Sequence, residues 1–323
     1  MPEIKRPRRG SLAFYPRKRA KRIYPDVTTY PETEKPKILA FAGYKVGMTH
    51  VALIDKKKGS PTFGKEIVVP VTILECPPLK VVGIRCYRNS VKGLKVLSEV
   101  WTKDLPKELS RKVKIKADTE KQLSKINEKL SEISEVRLIV CTAPKLAGIG
   151  KKKPEVFEIG VGGKEVKEKL EFAKSLLGKD ISVSEFTRPG ELVDAIAITK
   201  GKGTAGPVKR FGIKIQVRHA KQKRRHVGSL GQERPGKVRW TLAMAGQLGF
   251  QRRTEFNKRV LKIGKGEEIN PKGGFVRYGL IKSDYVLVEG SVPGPKKRLI
   301  ILRAAIRPSK TKFLVPEIKQ VVI

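Results

Sequence analysis

The chain has 323 residues, with 71 Lys and Arg against 31 Asp and Glu, a formal charge of +40 and a pI near 10.3. Such a charge is foreign to an enzyme of small metabolites, because self-repulsion on that scale destabilises a compact state unless a polyanionic partner offsets it. Hydrophobic residues at 39% still allow a real core; no apolar run reaches the roughly 18 residues of a membrane helix, and the basic N-terminus lacks the apolar region of a secretory signal.

Residues 1–36 read as an extended basic arm. Lys5, Arg6, Arg8, Arg9, Arg17, Lys18, Arg19, Lys21 and Arg22 are punctuated by Pro2, Pro7, Pro16, Pro25, Pro31 and Pro36. Proline at this density blocks helix and favours extended, solvated backbone. Phe14, Tyr15, Tyr24 and Tyr30 lie among the charges, which points to stacking against a surface as well as charge. An Arg-rich start is also the texture of an organelle transit peptide, but the basic character recurs far downstream, where no targeting signal would sit.

From residue 37 to 100, Ile38–Tyr44, His50–Asp55, Ile67–Cys76 and Val81–Tyr87 read as strands divided by glycines and by Pro77-Pro78. They predict the first part of a β-barrel or sandwich. Residues 101–180 read as an inserted α/β domain. Leu123, Ile126, Leu130 and Ile133 fall at helical spacing, with Asp118 or Thr119 placed to cap. Val136–Thr142 and Val156–Val161 read as strands, and Val166, Leu170, Ala173 and Leu177 as a second helix stopped by Gly178. Over 181–323 strands return at Leu192–Thr199, Gly279–Glu289 and Leu299–Ile306, which should close the barrel. Cys76, Cys86 and Cys141 are odd in number and widely spaced. They read as small buried hydrophobes in a reducing cytoplasm and not as disulfides or a metal knuckle.

Between the returning strands lies a long loop, 200–262; across the stretch from Thr199 to Arg259, which covers most of it, only Glu233 and Glu255 oppose many Lys and Arg. A segment of this kind repels itself and becomes ordered against a polyanion, most commonly a nucleic-acid backbone. Gly201, Gly203 and Gly206 match GxGxxG, yet no amphipathic helix is expected after Pro207, and Lys221–Arg225 stands where a ribose-binding acid would be. Those glycines fit a sharp turn and close approach to phosphate better. His219 and His226 sit among cations, a field that disfavours a metal ion. Asp180, Glu185, Glu191 and Asp194 cluster loosely, as surface ion pairs do, and no P-loop or nucleophile–base set is present. No catalytic residue, metal ligand or cofactor is expected. Trp240, flanked by Lys237 and Arg239, reads either as a local hydrophobic anchor or as an indole presented to unstacked bases.

Three blocks give the chain a close resemblance to the large-subunit ribosomal protein three family in its archaeal and eukaryotic form. They are Pro7 to Arg19, Ala42-Gly-Tyr-Lys-Val-Gly-Met-Thr-His50, and a third from Thr199-Lys-Gly-Lys-Gly203 through Val208-Lys-Arg210, Gly228-Ser-Leu-Gly-Gln232 and Pro235-Gly-Lys-Val238 to Met244-Ala-Gly-Gln-Leu-Gly249. The resemblance implies a mainly β fold: a six-stranded translation-protein-type β-barrel with an inserted α/β domain, an N-terminal arm and a long loop threaded into ribosomal RNA. It implies a non-enzymatic constituent of the large subunit, in the cytoplasm, that aids subunit assembly, touches neighbouring ribosomal proteins and sends the loop toward the peptidyl transferase centre. It puts Trp240 at the loop tip. Gln232 matches a glutamine methylated in bacterial members. Structural Mg2+ of the rRNA is the one metal to consider, and neither a membrane nor a free homo-oligomer is expected.

Contacts with rRNA are therefore expected from Arg6, Arg8, Arg9, Arg17, Lys18 and Arg19 in the arm. In the loop they are expected from Lys200, Lys202, Lys209, Arg210, Arg218, His219, Lys223, Arg224, Arg225, Gln232, Lys237, Arg239, Trp240, Gln247, Arg252 and Arg253. Two rivals remain: a generic DNA- or chromatin-binding protein, which would hold duplex DNA as tightly as rRNA, and an RNA-modifying enzyme, for which no cofactor or nucleophile site is visible.

Overall fold

The structure, a computed structural model, describes residues 8–57, 59–114, 119–234, 236–309 and 315–322. The chain divides into two compact units. The larger comprises Ile23–Ala197 and Arg253–Ile323, and the smaller Met1–Arg22 and Ile198–Arg252. The elements in chain order are β1 (Ala40–Ile54), β2 (Glu66–Glu75), β3 (Leu79–Ser90), β4 (Gly93–Trp101), α1 (Thr119–Glu128), β5 (Glu135–Cys141), β6 (Val156–Gly160), α2 (Val166–Leu176), β7 (Asp180–Ile181), α3 (Val183–Phe186) and β8 (Leu192–Ile198). There follow β9 (Gly201–Ala205), α4 (Pro207–Phe211), β10 (Gly246–Gly249), β11 (Arg252–Lys265), β12 (Asp284–Glu289), β13 (Leu299–Ala304) and β14 (Glu317–Val322). The expected cap at Asp118 and contact at Arg6 lie outside the described residues.

Six strands form a ring-like sheet in the order β13, β8, β11, β12, β2, β1, and β13 pairs again with β1 to close it. The runs that line it are β-branched and aromatic, as a strand buried on both faces requires. Phe41, Ile73, Leu74, Val286, Leu287, Ile300 and Leu302 are all fully buried, each stabilising the fold by about 1.5–3 kcal/mol. Ile38–Tyr44 and His50–Asp55 belong to one strand, β1, whose register shifts between Lys45 and Gly47 instead of breaking. Its distal half pairs with β14 outside the ring.

The second sheet runs β4, β3, β5, β6, with β7 on β3. Val81–Tyr87, expected in the first sheet, is thus part of this one. Arg85 of β3 and Arg137 of β5 lie directly opposite, an arrangement that repels unless carboxylates intervene. Glu158 bridges both guanidinium groups, while Glu99 takes Arg85 at 2.7 Å and Glu135 takes Arg137 at 2.8 Å. The ring of Tyr87 lies 4.6 Å below the Arg137 guanidinium. Helix α2 turns its buried Leu170 and Ala173 inward and stops before Gly178, at φ +81°.

Two aromatics expected to stack on a partner are instead protein core. Tyr24 is buried, and the Tyr30 hydroxyl donates to the Glu158 carbonyl at 3.1 Å. The Tyr30 ring presses on Gly160, where a Cβ would come within 2.6 Å of it. The three cysteines are free and buried, and burial pushes the Cys86 and Cys141 thiols up to about 11.

Asp194 corrects a further expectation. It is not a surface acid: it is 0% exposed on β8, opposite Arg303 of β13. Its Oδ2 accepts from Arg303 Nη2 at 2.7 Å and from the Ile306 amide at 3.3 Å; its Oδ1 accepts from the Asn257 amide at 3.0 Å. Arg303 also donates to the Thr29 carbonyl at 2.9 Å. A charge buried this way is stable only while fully partnered. Asp194→Ala is expected to destabilise the larger unit by about 3–5 kcal/mol in denaturant unfolding. A loss under ~1 kcal/mol would mean that the ring does not depend on the pair.

Candidate nucleic-acid interface

The smaller unit is built from the two ends of one long excursion and the N-terminal residues. β9 and β10 pair antiparallel, with Gly246 opposite Ala205 and Gln247 opposite Thr204. The pairing brings two backbones so close at Gly249 that a Cβ there would sit 2.0 Å from the Lys200 carbonyl oxygen, at φ +72°. Only glycine satisfies both conditions. The stem is fastened below this point: the Thr199 amide donates to the Gln251 carbonyl at 3.0 Å, and the Gln251 amide to Thr199 Oγ1 at 3.2 Å.

A short helix, α4, does open after Gly206, contrary to expectation. Pro207 occupies its first turn, where a missing N–H costs nothing and φ is already helical. Gly212 ends it one turn later in the left-handed conformation. The helix buries Phe211 and sets Arg210 beside it.

Arg210 ties the unit together. Its Nη1 donates to the Met244 carbonyl at 2.9 Å, its Nε to the Gln247 carbonyl at 3.0 Å and its Nη2 to the Arg17 carbonyl at 3.4 Å. Arg17 answers through Nη1 to the Arg210 carbonyl at 3.3 Å, and its guanidinium lies 4.4 Å over the Phe211 ring and 5.3 Å over Tyr15. Tyr15 meets Trp240 edge-on at 5.2 Å. Arg8 donates to the Thr241 carbonyl at 2.6 Å, and Arg19 lies 5.4 Å over Phe250. Partial burial, and after it the charge of Arg17, hold the Arg210 pKa below its usual value. Among the described residues these cations are thus met by carbonyl oxygens and ring faces, with no carboxylate paired to them; each such cation–π contact contributes about 0.5–2 kcal/mol.

Beyond this base the segment has no interior. Among the described residues from 213 to 245, none is buried. Arg218–Lys223 forms tight 3-10 turns, broken at Lys221 (φ +42°). Arg218, His219, Lys223, Arg224 and Arg225 are all exposed, as are Lys200 just before β9, Lys202 on β9 and Lys209 on α4. Lys18 and Arg252 are exposed too, and Arg253 falls in the larger unit. Of the expected residues, Arg8, Arg9, Gln232, Lys237 and Arg239 come together around one open cleft of about 470 Å³. Arg234, which was not singled out, lines it as well. Trp240 beside it is 72% exposed. The indole is in edge contact with Tyr15, and most of the ring is open. Tyr15 and Phe211 also belong to this surface without being among the expected contacts, although the alternation of arginine with aromatics marked the first of them.

Such a surface can neutralise phosphates and offer a π-face to a base. Among the described residues no group of three or more His, Cys, Asp or Glu side chains converges as a metal site.

The family model for Ribosomal protein L3 matches residues 1–323. The large ribosomal subunit protein uL3 of Methanosphaera stadtmanae is 51% identical over 323 residues, covering 98% of this chain and 96% of that protein. Those of Methanothermobacter thermautotrophicus, at 51% over 323 residues, and Methanococcus vannielii, at 50% over 317, match over similar shares. With a full-length family match and half of all positions identical to these archaeal proteins, the chain belongs to the Ribosomal protein L3 family, a family of non-enzymatic structural proteins.

Proposed function

We propose that this chain, by family a structural constituent of the large ribosomal subunit that binds its rRNA, does so through two surfaces with different tasks. The six-strand ring acts as the translation-protein-type barrel of the family and docks the larger unit on the subunit, beside neighbouring ribosomal proteins. The N-terminal arm and the 200–262 segment follow the RNA inward toward the peptidyl transferase centre, with Trp240 meeting bases and structural Mg2+ of the rRNA filling gaps between phosphates. Ordering of these elements on rRNA is an early assembly step.

The observation that carries this reading is the run from 213 to 245, rich in Lys and Arg, held on a packed stem and burying nothing of its own. Fixing such a backbone costs about 1–2 kcal/mol per residue. Phosphate neutralisation and stacking are the terms large enough to offset that cost. Gly203, at φ +63°, and Gly206 have open space where a side chain would project, which suits close approach of a phosphate.

Replacing Arg224 and Arg225 by Ala removes two exposed cations from this run. The plot of log affinity for large-subunit rRNA against log salt is expected to become shallower by about 1.4–1.8, the value for two lost phosphate contacts. An unchanged slope counts against phosphate contact there. Trp240→Ala is expected to weaken rRNA binding by about 1–3 kcal/mol for one lost base stack while the free protein melts as before, because the ring is mostly exposed. A free protein that melts several degrees lower, with normal rRNA affinity, would reduce the indole to a packing residue.

A further inference from the structure

The larger unit carries a cationic cradle of its own, built from residues not assigned above. One wall is the 3-10 turn Lys107–Arg111; the other is the connector between β5 and β6. Both walls are firmly seated. Leu109 is buried in a small cluster with Val82, Ile139 and Cys141, and Ala147 is buried in the main core. The base of the connector is closed where the Thr142 amide donates to the Glu155 carbonyl at 3.0 Å and the Glu155 amide donates to Thr142 Oγ1 at 3.0 Å. The cleft between the walls has a volume of about 440 Å³ and is lined by Arg111, Lys145, Lys151, Lys152 and a single acid, Glu108.

The charges do not balance locally. From Ala143 to Pro154 the connector holds Lys145, Lys151, Lys152 and Lys153 and no acid. Lys151 is answered from below by the buried carboxylate of Glu155. Lys145 reaches Glu108 only at 4.0 Å, with its own side chain 83% exposed. Arg111 and Lys152 are exposed on the rim. Two left-handed glycines, Gly148 at φ +64° and Gly150 at φ +73°, turn the connector around this space, and nothing lies within 4 Å of where a Cβ of Gly150 would be. A cationic, narrow, glycine-rimmed cradle on a fixed frame is what a phosphodiester backbone requires. It offers little to an apolar protein surface.

We infer that Arg111, Lys145 and Lys152 form a second RNA-phosphate site, by which the inserted sheet grips rRNA independently of the arm and the 200–262 segment. The inference rests on the reading that the chain binds rRNA, and it assigns part of that binding to a place with no aromatic to stack on, so the contact is electrostatic and indifferent to sequence.

The test uses the full chain and large-subunit rRNA, comparing the wild type, Arg111→Gln/Lys145→Gln/Lys152→Gln, and Arg224→Ala/Arg225→Ala. The cradle variant is expected to make the salt slope shallower by about two to three and to weaken affinity by roughly tenfold or more near physiological salt. If only the Arg224/Arg225 variant flattens the slope, the cradle inference falls and the proposed function stands. If neither variant moves it, both fall. A photocrosslinking residue in place of Lys152 within assembled subunits gives an answer that survives any folding defect of the triple variant. Crosslinks to rRNA support the site, and crosslinks to a ribosomal protein, or none, overturn it.

Discussion

Positive charge without internal counter-charge is the constraint that shapes the smaller unit. Ile198–Arg252 contains a single carboxylate, Glu233. Wherever this segment is packed, its guanidinium groups are satisfied by other means. Arg17 and Arg210 exchange contacts to each other's backbone carbonyls, and aromatic faces cover what remains. That solution works only where a ring or a row of carbonyls is at hand. Farther out, nothing from 213 to 245 is buried among the described residues. The boundary between the packed stem and the exposed run therefore separates cations packed against the protein's own rings and carbonyls from cations that are exposed.

The larger unit handles charge in the opposite way. Asp194 and Arg303 form a buried pair between β8 and β13, and Glu99, Glu135 and Glu158 neutralise two arginines that the β3–β5 register sets face to face. These carboxylates are spent on structure. Excess cations in this unit then collect where acids are sparse, as they do on the connector between β5 and β6. One chain thus combines a charge-paired frame with a charge-unpaired projection, and its net charge of +40 is distributed unevenly for that reason.

Much of this was legible in the sequence. Strands made of continuous β-branched runs, such as β5, β8 and β13, announce themselves, and so does α2 through Val166, Leu170 and Ala173. β4, β11 and β14 did not. Their apolar residues alternate with Lys, Arg, Glu and Gln on exposed faces, and β11 begins inside the cationic stretch that masks it. Ring closure was legible only as a general expectation, because local pattern does not say which strands pair. Val81–Tyr87 is apolar enough for either sheet. Asp194 looked like any surface acid, since burial of a charge depends on a partner 109 positions away. The aromatic–arginine contacts of Tyr15, Arg17 and Phe211 cross more than half the chain, and no window of residues holds both ends. The positions of the cations were evident; the distinction between those packed and those free was not.

Amide hydrogen exchange of the free chain and of the same chain within large subunits tests the division most directly. The account predicts that the stem, 199–211 and 246–251, is protected in both states, whereas 213–239 exchanges rapidly in the free chain and becomes protected in the subunit. Slow exchange across 213–239 in the RNA-free protein would contradict it.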